Sequence, residues 1–418
     1  MRIKQSINKK DRYMKKALVL AGGLPQIELI KELQQRGYFV ILADYYENPI
    51  ARDYADRFYQ KSTLDVEAMR AIAVEEKVDM IITCCTDQAL AVVSRLSEEL
   101  GLPCYVGTDI GLWVTNKQYM KDIFRKNGIP TASHQIVKDY SEVESREYPL
   151  IVKPVDCNSS KGVVKVRNDE ELKAAVETAV EFSRTNTAVV EQFIDGKEIS
   201  VDLFVTNGKA KVLCLSCNEK IPNDKKFIIY KNRCLYEGSD ELRAKIEKVG
   251  QQIVDAFGLK NCPMLIQLLN KDDDIWVIEF SARTGGCVKY RMIELVSGVN
   301  IIKATVDLFE NKLPELAPYK SPNYVANEFI YCENGEFSHF EGFEECKQAG
   351  IIENYYPLKT PGMSITGVNS SGDRIAAVTF VGDSYEDYVR RHNEFITKAK
   401  VINNLGEDMM RHDLLPEL

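Results

Sequence analysis

Histidine and tryptophan are scarce in this chain, at four and two among 418 residues. The histidines, at 134, 339, 392 and 412, suggest no partner base for a nucleophilic cysteine. No apolar run reaches the roughly 20 residues of a membrane-spanning helix. Positive charge is also in deficit. The 54 Lys and Arg against 62 Asp and Glu leave a net charge of −8 with no concentrated basic patch, which argues against a nucleic-acid partner. The eleven cysteines form no repeating framework, and in a chain this long they fit reduced thiols and a cytoplasmic location. Cys214 and Cys217 have Cys-x-x-Cys spacing, but zinc needs about four ligands, and neither a second pair nor a nearby histidine supplies them. That pair is read as structural.

What is present is an ordinary globular balance, 45% hydrophobic and 28% charged, long enough for two to four domains. Residues 1–13 are basic and polar, and are expected to form a disordered tail or an upstream extension with Met14 as the natural start. Residues 14–112 alternate strand and helix: Lys16 to Leu20, a helix ending near Gly37, Tyr38 to Leu42, a helix from Val66 to Glu76, and Met80 to Thr83. This βαβ pattern implies a parallel sheet with right-handed crossovers. Asp44, ending the second strand, invites a dinucleotide reading, but Gly-x-Gly-x-x-Gly is absent, and a substrate-side or structural α/β lobe is preferred.

Residues 113–319 carry most of the polar signals. The segment Val114 to Lys117 opens a helix that ends near Gly128, with Thr115 placed to cap it. Lys117 then stands in a first turn, where a cation is unfavourable unless an anion is near. Lys153 lies inside the apolar strand that begins at Leu150, and a buried lysine also needs an anion. The polar segment from Asp156 to Val163 is suited to folding over phosphates. The strand from Ala188 to Ile194 can offer its backbone to an adenine edge while Glu198 accepts hydrogen bonds from ribose hydroxyls.

The most informative pattern is the alternation of Glu279, Ser281 and Arg283. In a strand these three line one face, leaving Ile278 and Phe280 to bury on the other. If Asp272, Asp273 and Asp274 close a three-residue hairpin, Gln267 lies opposite Glu279 on the polar face. A carboxylate and an amide oxygen held together, with an arginine just beyond, suit Mg²⁺ carrying nucleotide phosphates. On the acceptor side, Lys289 and Arg291 follow a glycine pair and are candidates to grip a substrate carboxylate, Arg291 being preferred. Past the prolines at 314, 318 and 322, residues 320–418 read as a strand from Tyr324 to Tyr331, strands Ser364 to Val368 and Arg374 to Val381 joined by a turn, and a helix from Ser384 to about Ile402.

Taken in order, these elements resemble an ATP-grasp enzyme of the carbamoyl-phosphate synthetase, biotin carboxylase and amino-acid ligase kind, and the resemblance covers essentially the whole chain. It implies an α/β and α+β multidomain protein: a Rossmann-like pre-ATP-grasp domain, an ATP-grasp core and a small β-rich C-terminal domain. It implies ATP with Mg²⁺ or Mn²⁺ as cofactors. Lys117 and Lys153 would contact phosphates, with Ser159, Ser160, Lys161 and Gly162 as a mobile phosphate loop. Glu191, Phe193 and Ile194 would match the strand holding adenine, and Glu198 the ribose ligand. Gln267 and Glu279 would match the metal ligands, and Arg283 and Lys153 would act on the transferring phosphate. Ser281 stands where the family usually has Asn, so a second Mg²⁺ would be held weakly or through water. The activity implied is ADP-forming carboxylate–amine ligation through an acyl phosphate, on an amino acid or similar small carboxylate. A phosphoribosylglycinamide synthetase-like or carbamoyl-phosphate-like ligase, or a non-catalytic ATP-binding protein, stays open, as does a homodimer.

Overall fold

The computed structural model describes residues 14–157, 161–221, 227–234, 239–316 and 324–415. The expected tail at 1–13 and the loop serines Ser159 and Ser160 lie outside the described residues.

The first lobe is a parallel sheet with helices between its strands. Its elements are β1 (Lys16–Leu20), α1 (Leu24–Gln35), β2 (Phe39–Asp44), β3 (Arg57–Gln60), α2 (Val66–Glu76), β4 (Met80–Ile82) and α3 (Asp87–Leu100), with strand order β3-β2-β1-β4. The hydrophobic runs of β1, β2 and β4 are almost wholly buried, as helix-covered parallel strands require. Strand β3 was not anticipated; its side chains are exposed or half-buried at the sheet edge, so it lacks the apolar signature. Asp44 is spent locally, its carboxylate accepting the N–H groups of Gly22 (2.7 Å) and Tyr46 (2.8 Å) and fixing the β1–α1 loop.

Two short helices follow, α4 (Thr108–Trp113) and α5 (Lys117–Lys126). The cap of α5 is Asn116, whose side chain accepts from Gln118 and Tyr119, rather than Thr115. The Thr115 hydroxyl instead donates to the Gly111 and Leu112 carbonyls, closing α4. A second sheet comprises β5 (His134–Val137), β6 (Leu150–Pro154), β7 (Val164–Val166) and β8 (Ala188–Gln192), in the order β5-β8-β6-β7, backed by α6 (Asp169–Phe182).

The third sheet is the largest. It receives β9 (Lys197–Thr206), β10 (Lys209–Lys220) and β11 (Ile229–Cys234), then, after α7 (Asp240–Phe257), the hairpin β12 (Cys262–Lys271) and β13 (Asp274–Ser281). Beyond α8 (Lys289–Ser297) and α9 (Ile301–Phe309) come β14 (Tyr324–Ile330), β15 (Gly335–Glu341), α10 (Phe343–Gln348), β16 (Asn354–Pro357), β17 (Ser364–Ile365), β18 (Ala376–Gly382), α11 (Tyr385–Lys398) and β19 (Lys400–Asn403). Strands β14, β18 and β16 continue the sheet, whose order is β13-β12-β9-β10-β11-β14-β18-β16. The segment after residue 320 therefore shares a hydrogen-bonded sheet with the core, while β17-β15-β19 form a small sheet beside it.

Two C-terminal expectations change. Residues 364–368 and 374–381 do not pair with each other: β17 pairs with β15, and β18 lies between β14 and β16. The Ser370–Asp373 segment is a capping box, its serine and aspartate satisfying each other's backbone, which bends the chain without returning it as a hairpin. The last helix stops at Lys398, and Val401 and Ile402, whose β-branched side chains suit a sheet, belong to β19.

The hairpin carrying the polar strand closes with two residues, not three. Asp272 (φ 51°) and Asp273 (φ 63°) turn the chain, and Lys271 pairs with Asp274. The register nevertheless brings Gln267 opposite Glu279, because a bulge between Gln267 and Leu268 sets Ile278 and Glu279 against a single partner residue. The extra residue has a consequence: Ile278 does not bury with Phe280 but lines the same cleft as Glu279. Phe280 packs beneath, 2% exposed, its ring 4.4 Å from Phe257 and 6.0 Å from Phe124. Replacing Phe280 with Ala is expected to cost about 3–5 kcal/mol of stability in urea unfolding, since the strand would lose its aromatic floor.

Candidate active site

A cleft of about 1260 Å³ opens between the first lobe, the second sheet and the large sheet. That exceeds the roughly 300–1,000 Å³ usual for one small ligand and leaves room for two. Its walls hold Lys117, Lys153, Glu191, Phe193, Ile194, Glu198, Gln267, Glu279 and Arg283, so the fold brings together residues spread over more than 160 positions.

At one end sits a buried charge cluster. Lys153 on β6 contacts Glu191 on the neighbouring β8, the anion that a lysine in an apolar strand requires. Lys121, one turn after Lys117 on α5, reaches the other oxygen of Glu191 at 2.9 Å and donates to the Thr131 hydroxyl at 2.8 Å. Two ammonium groups thus share one carboxylate. Burial works to raise the Glu191 pKa, but Lys121 and Lys153 outweigh it and bring it down to about 2. Burial, with the other ammonium beside it, lowers that of Lys153. Glu191 is therefore engaged within the protein, and the cluster keeps one excess positive charge.

Next along the cleft, Lys117 donates to the Cys157 carbonyl at 2.8 Å and lies 3.3 Å from Glu279. The anion required near this helix N-terminus is thus Glu279, whose pKa is lowered by Lys117 and Lys153 against the opposing effect of burial. Glu198 begins β9 and is buried; Lys220 (2.6 Å), Asn218 (2.7 Å) and the Gln267 amide (3.2 Å) converge on it. Phe193 has the Lys165 ammonium 3.6 Å from its ring centre.

Ser281 and Arg283 both turn to Asp87, the first residue of α3. The Arg283 guanidinium grips it through Nε (2.8 Å) and Nη2, and the Ser281 hydroxyl contacts the same oxygen as Nε. Burial opposes the charge on Arg283, and Asp87 more than offsets it, raising the arginine pKa above its usual value. This clamp ties the first lobe to the polar strand.

A model of the ATP-grasp domain matches residues 146–290, the segment from the β5–β6 connection to the start of α8. The chain contains an ATP-grasp domain. Among relatives, it is 28% identical over 206 residues to a D-alanine–D-alanine ligase of Natranaerobius thermophilus, covering 44% of this chain and 55% of that one. It is 29% identical over 186 residues to a formate-dependent phosphoribosylglycinamide formyltransferase of Pasteurella multocida, covering 43% and 47%. The chain thus spans about half the length of these two curated relatives. In fold it is similar to an L-amino acid ligase from Bacillus licheniformis, with a TM-score of 0.79, 22% identity, and coverage of 93% and 99%.

Three expected residues are placed differently. Arg291, on α8, is absent from the cleft wall: its guanidinium pairs with Glu353 (3.0 and 2.6 Å) and Glu294 (2.7 Å), tying α8 to the chain just before β16. Lys289, two residues earlier, faces the cleft and pairs with Asp202 at 3.3 Å. Lys161 is exposed, its ammonium 4.9 Å from the centre of the Phe182 ring, away from the cleft wall. The Ser281 hydroxyl is committed to Asp87 rather than to the Gln267–Glu279 face. Gly162 has φ +72°, and a Cβ there would come within 2.9 Å of Pro154 and Phe182.

Asp87 and Lys121 were missed. Both had a signal: Asp87 opens the helix after a parallel strand, where α/β folds place ligands, and Lys121 is four residues from Lys117 on one helix face.

The oxygen donors fit Mg²⁺ or Mn²⁺. Among the described residues no three His, Cys, Asp or Glu side chains form a metal cage, and Mg²⁺ is commonly held by one or two carboxylates plus substrate phosphates. Glu279 and Gln267 would hold it here.

The Glu191 pKa shift carries stability that is complete above pH 4.5 and lost as pH falls toward about 2. Glu191→Gln is expected to flatten the dependence of the urea midpoint on pH between 4.5 and about 3.

Proposed function

We propose that the protein is an ATP-dependent carboxylate–amine ligase that releases ADP and phosphate, acting on an amino acid or similar small carboxylate. The observation that carries this reading is the pairing of Gln267 with Glu279 on the cleft face, with Lys117 3.3 Å from Glu279 and Arg283 two steps along the same face. The names of two relatives in sequence and fold, a D-alanine–D-alanine ligase and an L-amino acid ligase, support the amino-acid choice.

In this reading the nucleotide lies along the cleft. The backbone at Phe193 and Ile194 offers hydrogen bonds to the base, and Glu198 accepts them from ribose. Lys117 and Lys153 hold phosphate oxygens. Glu279 and Gln267 would hold the metal, which would supply positive charge against that of the phosphates. The substrate carboxylate attacks the terminal phosphorus, giving an acyl phosphate and ADP. An amine then adds to the acyl carbon and expels phosphate. No side-chain nucleophile is needed. Arg283 and Lys153 stabilise charge on the moving phosphoryl group, a task that depends on position and water exclusion. Asp87 holds Arg283 in place until the phosphates arrive.

The direct test is incubation with ATP, Mg²⁺, hydroxylamine and pooled amino acids. ADP together with hydroxamate is expected; AMP would overturn the mechanism. Arg283→Met is expected to lower kcat by about 100-fold or more, with the KM for ATP moving far less.

A further inference from the structure

Cations ring the cleft, and most of them are neutralised by the protein. Lys117 pairs with Glu279, Lys121 and Lys153 with Glu191, Lys220 with Glu198, Arg283 with Asp87, and Lys289 with Asp202. Two do not follow this pattern. Lys359 and Arg374 line the cleft from the C-terminal part of the chain, and neither is paired with a carboxylate among the described residues.

Their placement is set by the sheet. Strand β16 ends with Pro357 opposite Ala376, and the Leu358 N–H donates to the Ile375 carbonyl at 2.8 Å. Lys359 and Arg374 are the next residues outward from this contact. Both side chains line the cleft wall. The arginine is held ready. Its guanidinium lies 3.6 Å from the Phe329 ring centre, and it donates to two neutral oxygens, the Tyr331 hydroxyl (3.1 Å) and the Ile229 carbonyl (3.1 Å). The adjacent Asp373 does not neutralise it, being occupied with the N–H groups of Asn369 (2.9 Å) and Ser370 (2.7 Å). Cys287, four residues past Arg283, lines the same cleft.

We propose that Lys359 and Arg374 form a second anion subsite, which holds an acidic group that the substrate carries away from its reacting carboxyl. Two cations with one stacked guanidinium suit a carboxylate or a phosphate monoester. An amino-acid acceptor brings such a group: its amine reacts, while its own carboxylate must be held elsewhere. The inference takes the word substrate from the ligase reading, but the anion subsite itself does not depend on turnover.

The test is therefore a binding titration of the ADP- and Mg²⁺-loaded protein with L-alanyl-L-alanine, its C-terminal amide, and inorganic phosphate. The acid is expected to bind about tenfold or more tightly than the amide. That preference should vanish in Arg374→Met and in Lys359→Met, and return in part in Arg374→Lys. Thermal unfolding of each variant separates lost binding from lost folding, and the half-buried Lys359 offers the milder change. If the dipeptide acid and amide bind alike while phosphate binding depends on both residues, the subsite stands and its anion is a phosphoryl group. If neither anion is sensitive to Arg374 or Lys359, or none of the three probes binds, the proposal is overturned. Absence of ADP release with hydroxylamine would sink the ligase reading alone, because this titration needs no catalysis.

Discussion

Two buried ammonium groups sharing the carboxylate of Glu191 form the interaction on which one end of the cleft depends. Lys153 stands on β6, Glu191 on β8 and Lys121 on α5, so the cluster joins two strands of the second sheet to the helix that also carries Lys117. Removing one partner of a buried ion pair costs far more than the pair contributes, because the other charge is left uncompensated. The three groups are therefore mutually required. Their excess positive charge faces a cleft in which Lys117 is already held at Glu279. The arrangement supplies preorganised charge for phosphate oxygens, with the reorganisation completed during folding.

The second constraint is geometric. A two-residue turn alone would offset the register of β12 and β13, and Gln267 would not meet Glu279. The bulge at Ile278 makes up the missing residue, and it also presents Ile278 to the cleft beside Glu279. One inserted residue thus sets both the polar pair and an apolar contact for the ligand. Beneath it, Phe280, Phe257 and Phe124 hold the strand from the core side, so the ligands of a metal rest on a rigid floor rather than on a loop.

Much of this was legible in the sequence because strand alternation and buried-charge rules act locally. Lys153 in an apolar strand demanded an anion, and Glu279 with Gln267 announced a polar face. The exact form of the hairpin was not legible, since a three-residue turn and a two-residue turn with a bulge give the same pairing. Arg291 was misplaced for a related reason: Lys289 and Arg291 differ by two positions, which alternates nothing on a helix but turns the chain by about 200°, and α8 was not foreseen. In the C-terminal part the error was one of pairing. Strands β17 and β18 are close in sequence, but β18 is the partner of β14 and β16, and no local pattern encodes a long-range ladder.

The distribution of paired and unpaired charge separates the two ends of the cleft. At the nucleotide end and around Arg283, each cation named has an acidic partner from a neighbouring element, often from a different sheet or lobe. Such pairs hold side chains in place without a ligand. On the C-terminal wall no such counterpart stands among the described residues. Lys359 and Arg374 flank the Leu358–Ile375 hydrogen bond that follows the β16–β18 ladder, and Asp373, next to Arg374, caps a turn. Stacking on Phe329 fixes the guanidinium without neutralising it. The other cleft cations named draw their counter-charge from a neighbouring element, whereas these two draw none among the described residues. The acid absent from the fold is then one that arrives with the ligand.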